Sequence, residues 1–220
     1  MSLGTFALLA QKSPASALVA TTTMPPKGAA TISGVAVDDP SVGTDGSGCR
    51  QGSVAVAFSE DNSIMTLLFD DFQAAIGPNA GDIKKRAFCR VNVTMSSVGW
   101  AFDVQSIDFR GYVKLQKGVN ASVVSRWKWI DPKTNQDIKG KGNIQKKIDG
   151  PFEDDFLLHK DGELSDNEQS ICTKASARFQ ISISASLNFA GTSTSVTGYV
   201  KGDSADAVFG EIMNLGWRKC

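Results

Sequence analysis

The sequence predicts an all-β protein: an antiparallel β-sandwich, jelly-roll-like, in a single domain with little helix. Three observations lead there. Over residues 174–191 apolar and polar residues alternate without a break, with Phe179, Ile181, Ile183, Ala185 and Leu187 on one side and Arg178, Gln180, Ser182, Ser184 and Ser186 on the other. A period of two describes a strand with one face in a core and the other in water, whereas a helix would scatter those apolar residues around its circumference. Shorter stretches of the same period recur along the chain, bounded by clusters of Gly, Ser, Asp and Asn. No long segment carries the 3.6-residue period of an amphipathic helix.

Taken in order, residues 1–30 read as a leader. The apolar run at 3–10 and the small-residue triplet Ala15-Ser16-Ala17 describe a secretory signal peptide, although no basic side chain precedes the run. The folded domain is expected over residues 31–220. Its first strand is 32–37, followed by a Gly-, Asp- and Ser-rich loop to Gly48. Residues 53–58 and 64–72 form a hairpin through the turn Ser59-Glu60-Asp61-Asn62-Ser63. Residues 88–95 point Cys89, Val91, Val93 and Met95 inward. From Trp100 the phase changes: Trp100, Phe102 and Val104 take even positions, whereas Ile107, Phe109, Val113 and Leu115 take odd ones. That slip predicts a β-bulge or a strand break near Gln105 and Ser106. Residues 119–130 form a long strand and 143–148 a short one, and 150–170 is an irregular, acid-rich region. After the central strand, 195–201 and 207–217 complete the sheets.

Lys and Arg number 23, as do Asp and Glu, so no global field draws the chain to nucleic acid or an anionic membrane. No segment is apolar for long enough to span a bilayer as a helix. Cys49, Cys89, Cys172 and Cys220 are widely spaced with no C-x-x-C pair, and His159 is the sole histidine, a poor basis for a zinc site. An even cysteine count in an exported β-protein reads as two disulfides, with three pairings open. Strand direction favours one of them. The hairpin through residues 60–63 returns the chain so that Cys49 and Cys89 fall at the same end of a sheet, and Cys172 and Cys220 then pair by elimination.

Nucleophilic catalysis has little to work with. There is no G-x-S-x-G elbow, and any Ser-His-Asp triad must use His159, which follows the apolar Phe156-Leu157-Leu158. Carboxylates cluster at Asp70-Asp71, at Glu153-Asp154-Asp155 and at Asp161, Glu163 and Asp166. Asp154 and Asp155 are the binding candidates of this set. Paired carboxylates facing one cleft would make a glycosidase, clustered loop oxygens would suit calcium, and solvated loop acid is the plain alternative. No cofactor motif occurs. Trp127 and Trp129 share a strand face, the geometry of a sugar-stacking platform or of a core stripe, and the alternation favours the core because Arg126 and Lys128 occupy the opposite face. The sequons Asn92-Val93-Thr94 and Asn120-Ala121-Ser122 place both asparagines on the face assigned to water, as glycosylation requires.

Several motifs together resemble a known family. They are Gly48-Cys49-Arg50-Gln51-Gly52-Ser53, Phe69-Asp70-Asp71-Phe72 with Gly77-Pro78, and Asp108-Phe109-Arg110-Gly111-Tyr112. Gly150-Pro151 ahead of Asp155-Phe156 and the terminal Trp217-Arg218-Lys219-Cys220 complete the set. In this order they resemble small secreted fungal proteins, with bacterial relatives, known only as a domain of unknown function. The likeness covers residues 31–220. Arg50 stands where that family usually has proline, and the 38–47 loop is longer than its counterpart; both departures fall in a loop and neither touches a cysteine. The resemblance implies secretion, a disulfide-bonded β-sandwich and no established activity, and it carries over no catalytic residues.

The resulting expectation is a secreted or cell-surface monomer that binds rather than catalyses, with a cell-wall carbohydrate or an extracellular protein as partner. Two alternatives stand beside it. One is a secreted, glycosidase-like hydrolase using carboxylates of residues 150–170, and the other is a structural component of the cell wall.

Overall fold

The computed structural model describes residues 24–38, 48–131, 133–161, 177–202 and 209–220, except for the side chains of 139, 140 and 177. The expected leader over residues 1–30 therefore lies mostly outside the described residues, as do Cys172, Glu163 and Asp166. Among the described residues the elements are twelve strands: β1 (Thr31–Val37), β2 (Val54–Phe58), β3 (Ile64–Phe69), β4 (Gln73–Ile76), β5 (Arg86–Ser96), β6 (Trp100–Leu115), β7 (Val119–Ile130), β8 (Asp137–Asp149), β9 (Phe152–Asp161), β10 (Ala177–Phe189), β11 (Gly198–Lys201) and β12 (Phe209–Lys219).

Five strands make the first sheet, antiparallel throughout, in the order β1-β5-β10-β7-β8. The uninterrupted alternation of β10 puts it at the centre, where both of its edges are paired. The second sheet gathers around β6. Residues 106–110 of β6 pair with both β12 and β9, and residues 112–115 pair with both β11 and β9. A strand has two hydrogen-bonding edges, so β9 occupies one while β12 and β11 follow each other along the other. Beyond β12 lie β3 and β2, and beyond β11 lies β4.

Alternate residues from the two inner faces interlock as core. At one end Phe102 meets Trp129, Phe179 and Trp217 at ring separations of 4.8, 5.9 and 4.9 Å. Toward the other, Phe209 meets Phe72, Phe109 and Phe156 at 4.4, 5.0 and 5.9 Å. A disulfide joins Cys49, just before β2, to Cys89 on β5, with the Cα atoms 5.4 Å apart. It ties the entry of the second sheet to the first. Cys220 is also disulfide-bonded.

The bulge falls where the phase slip placed it. Ser106 pairs with Asn214 and Val104 with Leu215, so Gln105 is the extra residue. Elsewhere the structure corrects the sequence reading. The second arm of the hairpin ends at Phe69, because Asp70 and Asp71 turn the chain, and 73–76 becomes a separate strand on β11. The short strand expected at 143–148 is the 13-residue β8. Residues 152–161, expected to be irregular, form β9, with Phe156 and Leu158 buried and the acidic side chains exposed.

Candidate functional site

The outer face of the five-stranded sheet carries a cleft. Three of its strands turn long side chains outward: Phe88 and Arg90 on β5, Arg126 and Lys128 on β7, and Lys141 and Asn143 on β8. Between β5 and β7 runs β10, whose outward residues include Ser182, Ser184 and Ser186. These short side chains lower the floor while the neighbours raise walls. The cleft has a volume of about 520 Å³, within the roughly 300–1,000 Å³ of ordinary small-ligand sites. Phe88 is 40% exposed there, and the Arg90 guanidinium lies 5.1 Å from its ring centre, close enough for a cation–π contact.

One wall is fixed by a hydrogen-bond chain. Gln180 Nε2 donates to Asn92 Oδ1 at 2.8 Å, and Asn92 Nδ2 donates to Asp38 Oδ1 at 2.6 Å. The other oxygen of Asp38 faces Arg90 at 3.3 Å. On the far wall Lys128 Nζ is paired with Asp137 at 2.7 Å. No Asp or Glu is among the residues described as lining the cleft.

Trp127 and Trp129 do not form a sugar platform, which corrects that reading. Trp129 is buried in the aromatic core against Phe102 and Phe179. Trp127 is only 7% exposed, and its indole lies across Gly142, the glycine paired with it on β8. A Cβ on Gly142 would stand 2.1 Å from the ring. Trp127 also borders the cleft.

Asp154 and Asp155 are elsewhere, on β9 in the second sheet. Both are exposed, and they pair across from Val113 and Tyr112. Their neighbour Glu153 accepts from Lys114 Nζ at 2.6 Å and from the Tyr112 hydroxyl at 3.1 Å. The Lys114 bond, followed by the Tyr112 bond, holds the Glu153 carboxyl below the usual carboxylate range. Tyr112 stacks on Tyr199 at 5.9 Å, with Lys201 Nζ 5.5 Å from the Tyr199 ring centre. His159 faces Asp108 at 2.6 Å through Nδ1 and Asp161 at 3.2 Å through Nε2. Asp108 first, and Asp161 after it, raise its pKa and favour the imidazolium. Both ring nitrogens are thereby engaged with carboxylates, leaving neither for a serine. No group of three or more His, Cys, Asp or Glu among the described residues is placed to hold a metal ion.

The sequence reading missed two features. The cleft is one, and its signal was the serine row of β10. The other is Glu211, which takes an inward position on β12. It is fully buried, and its Oε1 accepts from Ser125 Oγ at 2.8 Å while Oε2 has no hydrogen-bond partner. Burial pushes its pKa up to about 8 against the lowering effect of Ser125.

Comparison with known proteins follows the same lines. Residues 35–220 match the family described as Domain of unknown function (DUF4360). An "Uncharacterized secreted protein" of Arthroderma benhamiae is 30% identical over 176 residues, which is 80% of this chain and 68% of the relative. Among solved structures, TmCBM61 in complex with β-1,4-galactotriose aligns over 84% of this chain and 87% of its own, at 10% identity and a TM-score of 0.24. A likeness that distant bears on neither site nor ligand. The family match and the relative place the chain: it is a secreted, disulfide-bonded, all-β fungal protein of the DUF4360 family.

Proposed function

We propose that the protein binds carbohydrate outside the cell without catalysis, and that the outer cleft of the five-stranded sheet is the binding site. The carrying observation is the lining itself. An exposed aromatic ring, Phe88, stands beside amide, hydroxyl and cationic groups held on rigid strands. Sugars need this combination: an apolar ring face to stack on, and polar groups around it for the hydroxyls. A carboxylate pair in that cleft would favour hydrolysis, and its described lining has none.

Retention of the purified protein on a panel of immobilised cell-wall polysaccharides tests the reading. Phe88→Ala is expected to weaken retention about tenfold, equivalent to about 1.4 kcal/mol. Leu157→Ala, an exposed site on the opposite sheet, is the control and should leave retention unchanged. Equal losses from both variants, or no retention on any polysaccharide, would rule the cleft out.

A further inference from the structure

We infer that the cleft takes an anionic glycan, a polysaccharide bearing carboxylates on its sugar rings, in preference to a neutral one. The inference rests on the binding reading above and adds the charge of the ligand. Strand register sets the lining in rows that cross the sheet. Arg90, Ser182, Arg126 and Asn143 form one row, and Asn92, Gln180, Lys128 and Lys141 form the next. Rows on one face are about 7 Å apart along the strands, and neighbouring strands are about 5 Å apart. Four cations therefore fall within the reach of one short oligosaccharide.

Their pairing is incomplete. Carboxylates at the rim hold Arg90 and Lys128. Arg126 and Lys141 are exposed and have no carboxylate partner among the described residues. Lys141 also stands directly across the strand pair from Lys128, and like charges so placed destabilise a sheet. A bound carboxylate would remove the repulsion and gain charge-assisted hydrogen bonds from Arg126 and Lys141. A neutral sugar would only strip water from those cations and give nothing equivalent in return. Phe88 and the Gln180, Ser182 and Asn143 groups distinguish a sugar from a simple anion, because they offer a stacking face and hydroxyl partners.

The test uses the full chain secreted from a eukaryotic host. Its probes are immobilised polygalacturonate and alginate, each beside the same polymer after chemical reduction of its carboxyl groups to alcohols. Binding to at least one polyuronate is expected, at least tenfold tighter than to its reduced partner and falling with added salt. The double variant Arg126→Gln, Lys141→Gln should weaken that binding about tenfold and flatten the salt dependence, with no loss of thermal stability. Equal binding to native and reduced polymers, abolished by Phe88→Ala, would overturn the anionic ligand and leave the cleft standing. Unchanged binding by the double variant, or equal binding to poly-glutamate, would overturn it as well. Failure to bind any polysaccharide, charged or neutral, would overturn both readings.

Discussion

Glu211 makes the core sensitive to pH, and the sign of the effect follows from its burial. An exposed glutamate titrates near 4.3, whereas the Glu211 carboxyl is pushed up to about 8. Between those values the folded protein keeps a proton that the unfolded chain has released, so stability falls as pH rises, by up to about 1.4 kcal/mol per pH unit. The loss levels off above the folded value. His159, with its pKa raised, works in the same direction above its unfolded value, but its side chain is 54% exposed and solvent screens the contribution. Glu211→Gln isolates the buried group. In urea denaturation from pH 5 to pH 8, the wild type should lose stability relative to this variant and fall below it at the alkaline end. Parallel pH profiles would show that the carboxyl does not titrate in this window. A second residue-scale expectation concerns the sequons. Asn92 sits in the Gln180–Asn92–Asp38 chain beside the cleft, and Asn120 lies at the start of β7. We expect glycan on Asn120 and an unmodified Asn92 in protein from a secretory host, read by peptide mass mapping. Glycan on Asn92 would cover a wall of the cleft and count against its role.

At the scale of elements, the strands that alternate cleanly were legible and those that break pattern were not. The slip at Gln105 was readable because a two-residue period reports every inserted residue. β9 was hidden by composition: its core contacts are Phe156 and Leu158, with Phe152 half-buried, among acidic residues whose exposure on an edge strand no local pattern announces. β4 was hidden by length, since four residues hold too few alternations to count. Gly142 on β8 and Gly216 on β12 differ in what a Cβ there would meet. Gly142→Ala would drive a Cβ into the rigid, packed indole of Trp127, an overpacking expected to cost about 1–3 kcal/mol. Gly216→Ala meets the side chain of Gln105, 2.4 Å from its Nε2 and 2.7 Å from its Cδ and Cγ, and this unbranched chain can swing aside, so the cost should be smaller. Thermal unfolding of the two variants, followed by tryptophan fluorescence, compares them. Equal destabilisation, with no change in native emission for Gly142→Ala, would contradict this placement of Trp127.

For the whole molecule, alternation assigns a residue to a face but does not say which strands are neighbours, so the serine row of β10 could hint at a low floor but not at which side chains wall it. Arg90, Arg126 and Lys141 come together only through the non-local order β5-β10-β7-β8. A chain with zero net charge thereby acquires a locally basic cleft. The same order bears on the disulfide. The Cys49–Cys89 bond spans 40 residues, and the loop it closes contains β2, β3 and β4, which belong to the second sheet while Cys89 belongs to the first. Besides the bond, the Gly48 N–H donates to the Phe88 carbonyl on β5 and the Ala75 N–H to the Lys84 carbonyl just before it, and packing between the sheets does the rest. By the loop-closure estimate the bond contributes about 4 kcal/mol, a large part of the roughly 5–15 kcal/mol that stabilises a domain. Chemical reduction would not isolate it, because Cys220 is disulfide-bonded too. The double variant Cys49→Ala, Cys89→Ala does isolate it, and scanning calorimetry should show its transition about 10 °C lower. Both cysteines are buried, so part of any loss is lost packing. Wild-type protein in which only this bond has been reduced and alkylated, checked by peptide mapping, tests the bond with both sulfurs still present. If that form and the double variant both melt with the untreated protein, the bond does not hold the two sheets together.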